Sequence, residues 1–394
     1  MLNINQLLRP ESGAGRSRPT PASESRYTAP SQHYRPVVVW NTTYTCNMRC
    51  VHCYTSSGDE PYPGELTTEE GLGLLDDLAD AGIPALILSG GEPLRRGDWE
   101  QMVSAADARG LYPCLSSNGL LIDTEVAGRL RDAGCRYVGV SIDGLEEAND
   151  RMRATPGGFR QALAGLRAAR DVGIPTGLRL TLTRLNHEDL PGLIDLAREE
   201  GVDRLYLSHL QAAGRGAGLS GVQLSADETR RALMHLIEAA RTTEAKGGPE
   251  MVTGGNEADG PFLVQYLRKH DPERAERVAE HLAQRGGNTA GTRVANIGNT
   301  GDVHPDQFWT AHPVGNVRER PFDAIWNTDP DPLLVDLRRR RELLTGRCGA
   351  CAHLDLCNGS SRTRAEAYYD DPFAPDPACY LSDAEIGLAG AIPT

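Results

Sequence analysis

Three cysteines in the first part of the chain have the spacing of a metal–sulfur cluster site. Cys46, Cys50 and Cys53 form a Cys-x3-Cys-x2-Cys pattern directly after the apolar run 37–40. A four-iron cluster usually takes four cysteine ligands, so three would leave one iron open, as catalytic zinc sites keep one position for substrate. A zinc loop or three unrelated buried thiols are the alternatives, but no fourth ligand for zinc lies nearby. The pattern therefore predicts a 4Fe–4S cluster with one open iron.

A second group of candidate site residues follows the next predicted strands. Glycines let a backbone approach a ligand closely, a proline fixes a turn, and short polar side chains at strand ends suit ribose hydroxyls. Asn-Gly and Asp-Gly are also ordinary turns, and the arginine of this group is either a partner for a carboxylate or a surface residue. The group consists of Gly90, Gly91, Glu92, Pro93, Ser117, Asn118, Ser141, Asp143 and Arg153.

The cysteine triad and the segment 90–93 together resemble the radical S-adenosylmethionine (SAM) superfamily, over roughly residues 35–245. In that superfamily the amino and carboxylate groups of SAM chelate the open iron. An electron from the cluster then cleaves SAM to methionine and a 5′-deoxyadenosyl radical. The resemblance implies that the three cysteines are catalytic cluster ligands and that the second group binds SAM.

Four further cysteines near the C-terminus make a second predicted metal site. Cys348, Cys351, Cys357 and Cys379 offer four thiolates, which both zinc and an iron–sulfur cluster accept. Their pattern resembles the SPASM and twitch extensions of radical SAM enzymes, which hold auxiliary four-iron clusters. A full SPASM domain holds two clusters on more cysteines than these, so the resemblance implies one auxiliary cluster. The implied cofactors are thus SAM and two 4Fe–4S clusters.

The elements that must position these residues alternate between strands and helices. Such alternation predicts parallel strands joined by right-handed helical crossovers, with ligands at the carboxyl ends of the strands. Six such units give an α/β fold, a partial (β/α)6 TIM-like barrel, followed by the SPASM/twitch-type auxiliary cluster domain. The predicted strands are 37–41, 85–89, 112–117, 137–142, 177–182 and 204–207, and the predicted helices begin at 67 or cover 98–109, 123–133, 158–172, 187–199, 226–245 and 262–285.

Composition divides the chain into four regions. Residues 1–34 are rich in Ser, Pro, Arg and Gly, which predicts a mostly disordered arm with a short docking piece at 4–8. The barrel is expected over 35–245, a bridging region over 246–332 and the cysteine-rich auxiliary domain over 333–394.

Charge and hydropathy exclude several classes of protein. The net charge of −13 argues against nucleic-acid binding, which needs a basic face. We find no apolar run long enough for a membrane span and no apolar core of a signal peptide. Nine cysteines in such a chain indicate metal sites rather than disulfides, so we expect a cytoplasmic protein, and a monomer.

A finer resemblance concerns the substrate. The segments 35–41, 64–66, 304–309, 315–322 and 376–381 resemble the radical SAM proteins of heme d1 biosynthesis. The resemblance implies an iron tetrapyrrole substrate, didecarboxysiroheme, with hydrogen abstraction from its propionates leading to their removal, and a flavodoxin or ferredoxin as electron donor. The alternatives are heme synthase-type decarboxylation of propionates to vinyls, a SPASM-type peptide maturase or small-molecule decarboxylase, and a scaffold that keeps a cluster without cleaving SAM.

Candidate substrate contacts follow from the chemistry of an iron tetrapyrrole with propionates. Arginines suit the carboxylates, and a histidine suits the iron as an axial ligand. The segment 254–259 is either a lid over the substrate or a surface loop. The candidates are Arg293, Arg318, Arg320, His209, His304 and His312.

Overall fold

The computed structural model of the protein describes residues 1–9 and 33–388, built around one eleven-stranded sheet. The strands are β1 Leu2–Asn3, β2 Val37–Thr43, β3 Leu86–Gly90, β4 Pro113–Ser117, β5 Tyr137–Ser141, β6 Thr176–Leu182, β7 Arg204–His209, β8 Glu250–Gly254, β9 Val294–Ile297, β10 Asp302–His304 and β11 Gly315–Asn316. The helices are α1 Ile4–Leu8, α2 Thr68–Asp80, α3 Trp99–Ala108, α4 Thr124–Asp132, α5 Glu146–Arg153, α6 Gly158–Asp171, α7 Leu190–Glu199, α8 Ala226–Lys246, α9 Asp259–His270, α10 Pro272–Arg285, α11 Pro332–Arg338, α12 Gly346–Gly349, α13 Leu354–Cys357 and α14 Arg362–Tyr369.

The sheet is open and mixed. Strands β2 to β8 lie side by side in chain order and run parallel, and β9 pairs parallel with the other edge of β2. Strands β1, β10 and β11 are antiparallel additions at the two ends. Residues 38–43 of β2 are all buried, as expected where helices cover both faces of a parallel sheet. The predicted α/β fold class is confirmed, with an open sheet whose parallel strands end on one side.

Local sequence explains where the main helices begin. The Thr67 side chain accepts a hydrogen bond from Glu70 N, and the Glu70 carboxylate accepts one from Thr67 N, a capping box that fixes the start of α2. Leu75 and Leu78 then face the core from this helix. Pairing in the sheet places the ends of neighbouring strands side by side, and the helices pack against the sheet.

Several elements differ from the sequence prediction, among them strand β8 and the helix predicted over 262–285. Strand β8 was not predicted, because its apolar stretch is only Met251–Val252 and glycines flank it. It nevertheless pairs with β7. The single helix predicted over 262–285 is wrong. It breaks before Pro272, which has no N–H to continue α9, while the Asp271 side chain accepts from Arg274 N and caps α10.

The region predicted as a bridge, 246–332, contributes four strands to the same sheet, from β8 to β11. At the other end of the sequence, β1 and α1 dock on β8, where Asn5 Oδ1 accepts from Met251 N at 2.6 Å. Of the arm predicted to be disordered, residues 10–32 lie outside the described residues. Within the described part of the chain, no helix is long and apolar enough to cross a membrane.

Candidate functional site

The cysteine triad lies on the loop that follows β2. Cys46 and Cys50 are buried, and Cys53 packs against them. Cys46 N donates to Gly58 O at 2.7 Å, and Val51 N donates to Met152 O at 2.9 Å, so both arms of the loop are anchored. Burial raises the pKa of the Cys46 thiol to about 12. Because metals bind thiolates rather than thiols, the positive charge of a bound cluster is what would keep these sulfurs ionised.

Gly90 and Gly91 hold the end of β3 against the chain that leads into this loop. Gly91 N donates to Thr43 O at 2.7 Å. A Cβ atom on Gly90 would lie 2.2 Å from Thr43 O, and one on Gly91 would lie 2.4 Å from Thr45 O. The two glycines are therefore needed for a close backbone contact that sets the position of the cysteine loop.

Glu92 joins the ends of β3 and β4. Its carboxylate is buried and accepts hydrogen bonds from Ser117 Oγ at 3.0 Å, Asn118 N at 2.8 Å and Leu94 N at 3.2 Å. Burial nevertheless raises the pKa of Glu92 to about 7. The carboxyl group thus fixes the positions of Ser117 and Asn118 at the next strand end.

One cleft, with a volume of about 1010 Å³, brings most of the predicted SAM site together at the carboxyl ends of the parallel strands. Glu92 and Pro93 do not line it and lie in its supporting structure, with Pro93 beginning a short 3₁₀ turn. The predicted residues that do line the cleft are Cys46, Cys50, Cys53, Gly90, Gly91, Ser117, Asn118, Ser141, Asp143 and Arg153.

Asp143 is a buried carboxylate of the cleft wall that pairs with two basic side chains. Its Oδ2 lies 2.5 Å from Arg153 Nε and 3.1 Å from His52 Nε2. Burial by itself would raise the pKa of Asp143, but Arg153 and His52 hold it well below its usual range. Arg153 also points Nη1 at Cys50 Sγ, at 3.6 Å. The arginine predicted to meet a SAM carboxylate thus sits between a buried carboxylate and a cluster cysteine, and the His52 ring is held by Asp143.

Arg215 is a site residue that the sequence analysis missed. Its Nε donates to Cys50 O at 2.8 Å and its Nη1 to Ser57 O at 2.9 Å. Its Nη2 is buried and has no hydrogen-bond partner within the described residues, and the side chain lines the cleft. Gly214 has a φ of +52°, and a Cβ there would lie 2.5 Å from Cys53 O. The signal in the sequence was Gly-Arg-Gly after β7, but its partners lie some 165 positions away.

A buried hydrogen-bonded chain joins the cleft to the C-terminal cysteines. His209, which lines the cleft, places Nε2 3.0 Å from Asp259 Oδ2. The Tyr380 hydroxyl donates to Asp259 Oδ1 at 2.9 Å, and Tyr380 follows Cys379 directly. Three side chains therefore connect the cleft to the segment that carries Cys379.

The four C-terminal cysteines line a second cavity of about 420 Å³. His353 N donates to Cys351 Sγ at 3.3 Å, a bond that suits a thiolate. Within residues 1–9 and 33–388, no group of three or more His, Cys, Asp or Glu side chains is arranged to hold a single metal ion. Zinc ligands converge on one atom, whereas a cubane keeps its four thiolates apart. Four cysteines around one cavity fit the predicted auxiliary cluster.

The predicted substrate contacts separate into two groups. Arg318 pairs with Glu70 at 2.6 Å and His312 with Glu366 at 2.7 Å, and neither lines the cleft. Arg320 pairs with Asp329 at 2.7 Å, and Arg293 also has a partner. His209 lines the cleft, and His304 lines a third cavity nearby.

Comparison with known proteins gives a family match and several similar enzymes. Residues 40–197 match the radical SAM superfamily. The chain is 45% identical to the pre-heme d1 synthase of Dinoroseobacter shibae, over 94% of this chain and 91% of that protein. It is 44% identical to the Fe-coproporphyrin III synthase of Methanosarcina barkeri, over 91% and 90% respectively. The AdoMet-dependent heme synthase of Nitratidesulfovibrio vulgaris is 32% identical, over 87% of this chain and 91% of that protein.

The fold is also that of a solved structure. Streptococcus suis SuiB bound to S-adenosylmethionine superimposes with a TM-score of 0.67 at 17% identity, over 89% of this chain and 78% of SuiB. Radical SAM enzymes bind a 4Fe–4S cluster and SAM, so the family confirms these two predicted cofactors. The auxiliary cluster on the four C-terminal cysteines stays a prediction. The cleft, the cysteine sites and the relatives agree: this chain belongs to the radical SAM superfamily, alongside enzymes of heme and modified tetrapyrrole biosynthesis.

Proposed function

We propose that the protein acts on didecarboxysiroheme or a closely similar iron tetrapyrrole, abstracting hydrogen from its propionate side chains and leading to their removal. The observation that carries the proposal is 45% identity to pre-heme d1 synthase over nearly the whole chain. The complete cysteine triad in a cleft argues against a scaffold that no longer cleaves SAM.

The residues of the cleft divide the work of such a reaction. When bound, a cluster on Cys46, Cys50 and Cys53 supplies the electron that cleaves SAM to methionine and the hydrogen-abstracting 5′-deoxyadenosyl radical. Ser117, Asn118 and Ser141 present hydroxyl and amide groups at neighbouring strand ends for the ribose and methionine parts of SAM. Because the cleft is built on strand ends tied by buried hydrogen bonds, it holds the reactants in one geometry.

A second product is supported almost equally. Identity to Fe-coproporphyrin III synthase is 44%, against 32% for heme synthase. We therefore place formation of Fe-coproporphyrin III second and propionate decarboxylation to vinyls third. We also propose a cytoplasmic location, because none of the nine cysteines forms a disulfide, as expected in a reducing compartment. We further propose a monomer that receives electrons from a flavodoxin or ferredoxin.

The test is anaerobic turnover by protein with both clusters rebuilt. SAM, a reductant and didecarboxysiroheme are added, and 5′-deoxyadenosine and the tetrapyrrole are followed by mass spectrometry, with Cys50→Ala protein as the inactive control. Loss of whole propionate groups is expected. Formation of Fe-coproporphyrin III would assign the second product. Loss of carbon dioxide and two hydrogens from each reacting propionate, which leaves a vinyl group, would assign the heme synthase reaction. Release of 5′-deoxyadenosine with an unchanged tetrapyrrole would refute the substrate proposal.

A further inference from the structure

A third cavity, of about 440 Å³, lies beside the SAM cleft. Tyr44, Tyr54 and Tyr62 line it, as does His304 of β10. Its volume is within the range of roughly 300–1,000 Å³ that small-molecule sites occupy. Tyr54 lines both spaces, so the cavity and the cleft share a wall. A flat aromatic ligand in this cavity would have its edge close to the cleft.

The His304 ring is held in one tautomer. Asn296 Nδ2 donates to Val39 O at 2.8 Å, which turns Asn296 Oδ1 toward His304 Nδ1, at 3.1 Å. An amide oxygen can only accept, so His304 Nδ1 carries the proton and Nε2 keeps a lone pair. Among residues 1–9 and 33–388, Nε2 has no hydrogen-bond partner. Burial also lowers the pKa of His304 to about 4, so the ring is neutral at physiological pH.

Histidines that bind metals usually donate their second ring nitrogen to a carbonyl or carboxylate, which orients the ring. His304 has this arrangement, and among the described residues it belongs to no group of three or more His, Cys, Asp or Glu side chains that could hold a single metal ion. A single neutral imidazole suits a metal that brings its other ligands with it. An iron tetrapyrrole is such a metal complex, since the macrocycle supplies four nitrogens.

We propose that His304 Nε2 is the axial ligand of the substrate iron, with the macrocycle packed among Tyr44, Tyr54 and Tyr62. The inference rests on the proposed function and adds the binding site of the substrate. Tyr54, in the wall that the cavity and the cleft share, is held by a hydrogen bond from its hydroxyl to Asn41 Oδ1, at 2.9 Å, and by an edge-to-face contact with Phe308. Gly214 lines the cavity and Arg215 lines the cleft. A propionate that reaches past this shared wall into the cleft meets the unpartnered Arg215 Nη2, while the iron remains bound to His304 Nε2.

The test measures iron ligation separately from turnover. Didecarboxysiroheme and, as a second probe, Fe-coproporphyrin III are titrated anaerobically into the cluster-loaded protein. Visible spectra, and resonance Raman spectra of the ferrous iron–histidine stretch, are recorded. Wild type and His312→Ala, which changes a surface histidine outside both cavities, are expected to show histidine ligation. His304→Ala is expected to lose it and to bind each probe at least tenfold more weakly, and added imidazole is expected to restore the spectrum.

Iron content and SAM affinity of His304→Ala protein show whether the variant is folded. Histidine ligation that persists in folded His304→Ala protein would overturn the inference and leave the proposed function standing. Failure of wild-type protein to bind or convert either probe would instead remove the proposed function, and the ligand assignment with it. A variant that is misfolded by these two measures is replaced by His304→Gln, for which the same two outcomes hold.

Discussion

At the scale of single residues, buried charges decide how the cleft behaves. Asp143 is fully buried and compensated by Arg153 and His52, so it stays ionised. Glu92 is equally buried but receives only neutral hydrogen-bond donors. Burial therefore dominates its ionisation. Two buried carboxyl groups next to the same cysteine loop in space thus have opposite pKa shifts.

The raised pKa of Glu92 predicts a pH-dependent stability. The folded chain holds this proton up to about pH 7, whereas the unfolded chain releases it near its ordinary pKa of 4.5. The free energy of unfolding should therefore fall as pH rises between these values, by about 3 kcal/mol in total. Glu92→Gln removes this contribution, which urea unfolding at pH 5.5 and 8 would reveal as a smaller difference than in wild type.

Glu147→Gln is the matched control for this measurement, because the Glu147 side chain is 95% exposed. It should leave the difference between the two pH values unchanged. A Glu92→Gln variant with the same pH dependence as wild type would mean that Glu92 is ionised in the folded protein.

The sequence predicted which residues gather at the two cavities better than what each one contacts. Cysteine spacing is a local signal, so the three sulfurs of the cleft and the four of the second cavity were all found. Contacts between distant segments were not, because nothing local specifies them. Arg318, a candidate for the substrate, pairs with Glu70 from 248 positions away. Arg215 had no predicted contact, although it donates to Cys50 O.

At the scale of elements, the site depends on how closely β3 approaches the loop after β2. Two backbone hydrogen bonds join them, from Gly91 N to Thr43 O at 2.7 Å and from Glu92 N to Thr45 O at 3.0 Å. These bonds help to fix the register between strand and loop. Any added atom there must displace the cysteine loop.

Gly91→Ala is therefore expected to damage the cluster site. Its Cβ would lie 2.4 Å from Thr45 O, and we expect destabilisation of about 3 kcal/mol, as for overpacking of a core. Formation of 5′-deoxyadenosine should fall at least tenfold, with loss of iron. The control is Gly128→Ala in α4, where nothing lies within 4 Å and a helical alanine should stabilise by about 0.5–1 kcal/mol. Full activity in Gly91→Ala protein would contradict this account.

Prediction of the elements succeeded where patterns were long. The predicted strands from residue 37 to 207 all exist, because each has a sustained apolar run followed by a helical repeat. Strands β8 and β9 were missed because strands of four or five residues carry little pattern of their own and are defined by their neighbours in the sheet. The break at Pro272 was visible in the sequence, since an Asp-Pro pair begins helices.

At the scale of the whole molecule, a buried ion pair fastens the C-terminal region to the sheet. Arg364 Nη2 lies 2.6 Å from Asp376 Oδ2, and the two side chains are 1% and 0% exposed. Arg364 Nη1 also donates to Leu210 O and Gly255 O, at the ends of β7 and β8. The same contact region contains the His209–Asp259–Tyr380 chain, so the two cofactor sites share one rigid boundary.

Asp376→Asn should loosen this boundary. It leaves the buried Arg364 charge unpaired, which costs on the order of 3–5 kcal/mol, and limited proteolysis should then cut first beyond residue 339. Asp336→Asn is the control, because its pair with Arg339 is exposed and worth at most about 1 kcal/mol. Equal thermal stability of the two variants, measured by calorimetry, would show that the Arg364–Asp376 pair does not stabilise the C-terminal region in this way.

The pairing of β1 with β8 also has a consequence for how the chain is made. Leu2 lies opposite Thr253, roughly 250 positions later. At about 5–20 residues per second, a ribosome needs roughly 12–50 seconds to travel that distance. Throughout that interval Ile4, Leu7 and Leu8, all buried in the finished protein, lack the surface that covers them. At this edge of the sheet, residues synthesised long before β8 become ordered only after β8 has been made.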